Sequence, residues 1–188
     1  MWIVAVICGM LGYGVMSFVM TATPLAMKHH THDFSETSFV IQWHVLAMFA
    51  PSFFTGAFIR KIGELKVMLI GAVLGCLCVL INLNGTTLTH FWLALVLLGL
   101  SWNFLFVGST TLLTQTYTLA ERFKVQAIND FIIFTTVAAA SLSAGYLQHY
   151  FGWRTVNVGV LPFLAIIMVS IVFLYQVQQK KTNQTVAD

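Results

Sequence analysis

Few side chains in this sequence can do chemistry, and most of them lie inside long apolar runs. Gln42, Trp43 and His44 sit together about two turns into one run. Asn103 lies deep in another, beside Trp102, and Thr110, Thr114 and Gln115 follow it at helical spacing. An unpaired polar group is costly in hydrocarbon, so one found there holds a neighbouring helix or a ligand. The amides of Gln42 and Asn103 both donate and accept, which suits a neutral polar group. His44 is the one member that titrates near neutral pH, so it is the candidate for a proton-coupling role. Gln42, Trp43, His44, Asn103, Thr110 and Gln115 are therefore the candidate residues for binding a small solute. An interhelical hydrogen bond is the plainer use of each.

Other constellations carry less. His29, His30, His32 and Asp33 place three imidazoles and a carboxylate in one short stretch, and these types ligate divalent metals. Adjacent positions in a flexible loop rarely close a metal site, and no metal is expected. Cys8, Cys76 and Cys78 all lie in apolar runs, and the last two do not make a C-x-x-C pair. There is no glycine-rich phosphate loop, no nucleophile elbow and no pair of catalytic carboxylates. No catalytic residue is assigned, no cofactor is expected, and an enzyme is the least favoured class.

The elements that must position these residues follow from composition. Hydrophobic residues make up 59% of the 188 and charged residues 8%, against about 25% charged in soluble domains. Too little polar surface remains to cover a water-soluble globule. A membrane-spanning helix needs about 20 mainly apolar residues. Six segments qualify, at roughly 2–27, 37–59, 67–83, 91–119, 125–150 and 156–177. The fold class is all-α: a polytopic membrane protein with six transmembrane helices over 1–178 and a polar cytoplasmic tail over 179–188. The net charge of +3 is confined to loops and the tail, so it does not signal nucleic acid. The first run is too long for a signal peptide and lacks a basic n-region, so it is expected to be a retained span.

Loop charge sets the orientation. If the chain alternates, Arg60, Lys61, Lys66, Arg122, Lys124, Lys180 and Lys181 fall on one side, and only Lys28 and Arg154 on the other. The basic side is cytoplasmic by the positive-inside rule, which puts both termini inside. Asp33 followed by Glu36 reads as a capping box for the second span, and Thr89 can cap the fourth. Ala5, Gly9 and Gly12 share one face, and Gly71 with Gly75 makes a small-x-x-x-small pair of the kind that lets membrane helices approach closely. The third and sixth spans carry almost no polar side chains.

The loop after the second span carries a resemblance. Gly56, Phe58, Lys61, Gly63 and Leu69 fall in register with G-x-L-x-D-R-x-G-R-K-x-x-L, the loop motif of the major facilitator superfamily of secondary transporters. Arg60 stands where that motif has its acid and Glu64 where it has a base. This looks like the degenerate second copy of the motif. The run from Asn103 to Asp130 is also similar to W-N-F-L-F-V-G-x-T followed by E-R-x-K-V-Q-A-x-N-D, found in a bacterial subgroup of that superfamily. The resemblance implies the C-terminal six-helix half of a twelve-helix transporter in the cell's plasma (inner) membrane. It implies that the first, second, fourth and fifth spans line a central cavity. It puts Gly56, Arg60, Lys61 and Gly63 in a cytoplasmic motif loop. Independently of the resemblance, Glu121, Arg122, Lys124, Asn129 and Asp130 lie between two spans on the cytoplasmic side, where a helix N-terminus stabilises a carboxylate. They read as a gate whose ion pairs form in one access state and break in the other, or as a solvated loop with ordinary caps. Expected partners are a small-molecule substrate, protons if transport is coupled, the lipid bilayer, and a second six-helix half or another copy of the chain. The alternative is a half-length interaction protein that associates with a full transporter and does not itself transport.

Overall fold

The computed structural model describes residues 1–187. Asp188 and the side chain of Lys181, both in the expected polar tail, lie outside the described residues. The described chain is all helix and connecting turns: α1 (Trp2–His29), α2 (Phe34–Phe49), α3 (Ser52–Ile62), α4 (Glu64–Asn84), α5 (Leu88–Thr114) and α6 (Arg122–Ala187). Of these, α1, α4, α5 and α6 are each long and apolar enough to cross a membrane, and the bent pair α2–α3 is a fifth candidate. The 66 residues of α6 would run about 100 Å as one straight helix, roughly three times the hydrocarbon thickness. They do not run straight. Gly152 breaks the helix with φ 76°, a left-handed conformation that glycine adopts without steric cost. The limb over 122–151 and the limb over 153–187 then line one cavity of about 510 Å³ with α1.

Several elements differ from the sequence expectations, each for a local reason. The second span is two helices bent by 42°, because Pro51 has no N–H to continue the ladder. The fourth span, α5, stops at Thr114, and residues 115–121 form turns, although apolar character continues to Leu119. Its N-cap is Thr87; Thr89 lies inside the first turn. The break expected between the spans ending at 150 and starting at 156 is reduced to the elbow at Gly152, with helix on both sides. The few polar side chains of the third and sixth spans meet each other: Asn82 Nδ2 on α4 donates to Asn157 Oδ1 on α6 at 2.8 Å, both inside the bundle. The capping box is as expected. Asp33 accepts from the Glu36 N–H at 2.8 Å, and the Glu36 carboxylate accepts from the Asp33 N–H. The helix tail continues to Ala187 as part of α6.

α5 is the centre of the bundle, in contact with α1, α2, α3 and α4. Small residues make this possible. At Gly99 a Cβ would stand 2.7 Å from the His44 carbonyl oxygen and 3.0 Å from the Met48 nitrogen, so α2 can lie this close only against glycine. The expected small face of α1 is buried too: Ala5, Gly9 and Gly12 point into the bundle, and Gly12 rests on Leu105 of α5.

Candidate functional site

The deepest polar residue is part of the scaffold around the bend. Asn103 is fully buried on α5. Its Nδ2 donates to the Met48 carbonyl at 2.7 Å and to Ser52 Oγ at 2.6 Å, and its Oδ1 accepts from Thr55 Oγ1 at 2.6 Å. These partners flank Pro51 on both sides, so one amide ties α5 to both halves of the bent span. His44 is also fully buried, and its Nδ1 pairs with the Leu95 carbonyl at 2.8 Å. A carbonyl only accepts, so Nδ1 carries the proton, and Nε2 is left as an acceptor without a partner.

The remaining candidates are scattered. Trp43 is 41% exposed and meets Trp92 edge-on, with ring centroids 6.0 Å apart. Gln42 lines a separate cleft between the facing ends of α1 and α2, with Lys28, His32 and Asp33. Thr110 satisfies its hydroxyl on its own helix, through the Phe106 and Val107 carbonyls. Gln115 lies past the end of α5, where it donates to Glu64 Oε1 at 3.3 Å. The structure therefore brings Asn103 and His44 together along the α2–α5 contact and leaves Gln42, Thr110 and Gln115 elsewhere.

An aromatic cluster sits where the sequence reading looked only for polar groups. Tyr13 of α1 meets Trp102 and Phe106 of α5 edge-on, at 5.2 and 5.6 Å between centroids. Trp102 stacks on Phe106 at 5.0 Å and 7°. Phe49 of α2 closes on Trp102, and Phe134 of α6 on Tyr13. Four helices thus supply five rings. Trp102 Nε1 is buried with no hydrogen-bond partner, so the cluster holds a buried free donor. The four-residue step from Trp102 to Phe106 put both rings on one helix face, a spacing legible in the sequence.

The loop residues behave as separate solvated groups in this state. Arg60, Lys61, Glu121, Arg122, Lys124 and Asp130 are exposed. Gly56 has no atom within 4 Å of where its Cβ would be, and Gly63 turns the chain with φ 88°. Glu121 accepts from the Thr118 N–H and hydroxyl, and those bonds hold its carboxyl below the usual range. Asn129 is buried and donates to Asp130 at 3.2 Å. Among the described residues the ion pair within 4.0 Å is that of His32 with Glu36, at the opposite end of the bundle.

A bundle of long apolar helices, with a bent second span and a basic turn at Gly63, defines a polytopic membrane protein with a buried aromatic centre. The sequence profile of the Major Facilitator Superfamily matches residues 5–187, and the chain belongs to that superfamily. It is 48% identical over 171 residues to the riboflavin transporter RfnT of Brucella anthropi, a match covering 91% of this chain and 43% of that protein. Two uncharacterised transporters of the same type from Bacillus subtilis also match. YdeG is 31% identical, covering 71% of this chain and 31% of its own length. YddS is 30% identical, covering 88% and 39%. The chain thus spans less than half the length of the curated relatives it matches. Family and fold together indicate an integral membrane protein.

Proposed function

We propose that the chain is the C-terminal six-helix half of a secondary transporter, and that the solute is a flat heteroaromatic molecule of the riboflavin kind. The six spans are α1, the α2–α3 pair, α4, α5 and the two limbs of α6, with both termini cytoplasmic in the plasma (inner) membrane. The aromatic cluster of Tyr13, Phe49, Trp102, Phe106 and Phe134 carries the substrate class. Rings in offset or edge-on contact offer a flat neutral solute the same contacts they make with one another. The unpartnered Trp102 Nε1 supplies a donor for a ring carbonyl or nitrogen. The name of the 48% identical relative points the same way.

Transporters of this kind bind solute near the membrane midplane between two halves. This chain forms one wall, and a second six-helix half forms the other. Gln42 and Trp43 are exposed enough to meet the solute, while Asn103 acts through the helices it holds. His44 Nε2 is the acceptor available for a coupled proton. The Gly56–Gly63 and Glu121–Asp130 segments pair in the opposite access state.

Membrane vesicles carrying this chain together with a matching N-terminal half test the reading. Saturable riboflavin uptake is expected only when both halves are present. Stable association of the halves without riboflavin uptake overturns the substrate class. A second reading is a membrane protein that associates with a full transporter and modulates it. In that case the chain changes the uptake rate of an intact transporter and supports none with the N-terminal half.

A further inference from the structure

The ends of α1 and α4 and the elbow of α6 enclose a cavity of about 580 Å³ that the transport site does not use. Its lining has one fixed cation, Arg154, and three imidazoles, His29, His30 and His149; no acidic side chain lines it. Asn82, Gln148 and Trp153 also line it, and each is more than nine-tenths buried. Each also holds a polar atom without a partner: Asn82 Oδ1, Gln148 Oε1 and Trp153 Nε1. Native proteins leave few buried polar atoms unsatisfied, so three around one cavity from three helical segments mark a place for a ligand.

The chemistry of the lining defines that ligand. Arg154 and the indole N–H are donors that suit a phosphate oxygen. Asn82 Nδ2 is committed to Asn157, which fixes Asn82 Oδ1 as an acceptor in need of a hydroxyl. The Gln148 amide can turn to serve either group. Leu25, Leu83 and Phe151 supply apolar wall. The cavity lies where α1 ends at His29, and a 28-residue helix of about 42 Å outreaches the roughly 30 Å hydrocarbon core. It therefore opens at headgroup depth, within reach of a lipid's phosphodiester.

We propose that this cavity binds an anionic glycerophospholipid, with its phosphodiester on Arg154 and Trp153 and a headgroup hydroxyl on Asn82. The elbow at Gly152 sets the site, because it places Trp153 and Arg154 directly after the turn.

The test uses the purified full chain in detergent with phosphatidylglycerol and phosphatidylcholine at equal mole fraction, with the retained lipid counted by native mass spectrometry. Arg154 is exposed, so Arg154→Gln leaves the packing intact. Lys28→Gln removes the same charge from an exposed neighbour that does not line the cavity. The expected result is a preference for phosphatidylglycerol that falls about fivefold in Arg154→Gln, the effect of one basic side chain at an anionic surface, and persists in Lys28→Gln. No preference in the unaltered chain, or an equal loss in both variants, overturns the site. Water-soluble glycerol 3-phosphate shares the phosphate and the hydroxyls. If it displaces the lipid at millimolar concentration, the lipid assignment fails; if it does not, the lipid is the ligand.

Discussion

Asn103 on α5 donates to the carbonyl of Met48 on α2 at 2.7 Å, and Met48 lies three residues before the proline that breaks the second span. The carbonyl on one side of the bend and the hydroxyls of Ser52 and Thr55 on the other converge on the same amide. A bend in a membrane helix persists when neighbouring side chains satisfy the groups that it frees. Asn103 does that here. The finding ties a residue singled out as a possible ligand to the geometry of the span beside it.

Asn103→Ala should therefore lower the amount and the thermal stability of the folded chain. A membrane hydrogen bond averages about 0.6 kcal/mol and reaches about 1.7, so loss of three coupled bonds should cost about 1–3 kcal/mol. Thermal unfolding in detergent checks this. An unchanged midpoint, with loss of transport only, would return Asn103 to the solute.

Gly99→Val tests the approach of α2 to α5. The added Cβ would meet the His44 carbonyl at 2.7 Å and Ala47 Cβ at 2.9 Å, and backbone cannot move aside as a side-chain tip can. Overpacking usually costs about 1–3 kcal/mol, and backbone contact puts this case at the upper end. Gly56→Ala is the control, because nothing lies within 4 Å of its Cβ position. Membrane abundance should fall for Gly99→Val and hold for Gly56→Ala.

The fold was legible because membrane spans announce themselves through length and apolarity, and these signals do not depend on partners. The capping box was legible for the same reason: Asp33 and Glu36 act within three residues of each other. Contacts between distant segments were not. Nothing local links Asn82 to Asn157, seventy-five residues apart, or Asn103 to Ser52 and Thr55. Polar residues drew attention as binding candidates because burial in hydrocarbon makes them costly. The same cost explains why Asn103 spends its hydrogen bonds inside the bundle. The aromatic cluster escaped notice because Tyr13, Phe49 and Phe134 are unremarkable in apolar runs until α1, α2 and α6 meet α5.

His32 gives a pH-dependent prediction. Its Nδ1 lies 2.8 Å from Glu36 Oε2 and its Nε2 2.8 Å from the Thr86 carbonyl. A carboxylate and a carbonyl both accept, so the ring must donate from both nitrogens as the imidazolium. The Thr86 bond first, and then Glu36, push the His32 pKa above its ordinary value. A raised pKa in the folded state gives stability that is complete below the unfolded value, about 6.5, and is lost as pH rises through the folded one. The bridge joins the α1–α2 turn to the α4–α5 turn. The unfolding midpoint of the unaltered chain should exceed that of His32→Gln between about pH 5 and 6.5, and the difference should close at higher pH. A difference that grows toward alkaline pH would remove the bridge as its cause.

Trp102 separates packing from recognition. Its ring is buried and stacked on Phe106, yet its Nε1 has no partner. Trp102→Phe keeps an aromatic ring and removes a donor that the protein itself does not use, so folding should be nearly unaffected. If a heteroaromatic solute accepts from Nε1, the KM for riboflavin in the assembled transporter should rise about fivefold, the worth of a hydrogen bond of about 1 kcal/mol. Trp102→Leu also removes the ring, and aromatic pairing is worth a further 0.5–1.5 kcal/mol or so, so its KM should rise further. Stability should fall in Trp102→Leu as well, because Tyr13, Phe49 and Phe106 all lose a neighbour. The decisive variant is therefore Trp102→Phe. Normal abundance with an unchanged KM would leave the cluster a packing device and move the solute to Trp43 and Trp92.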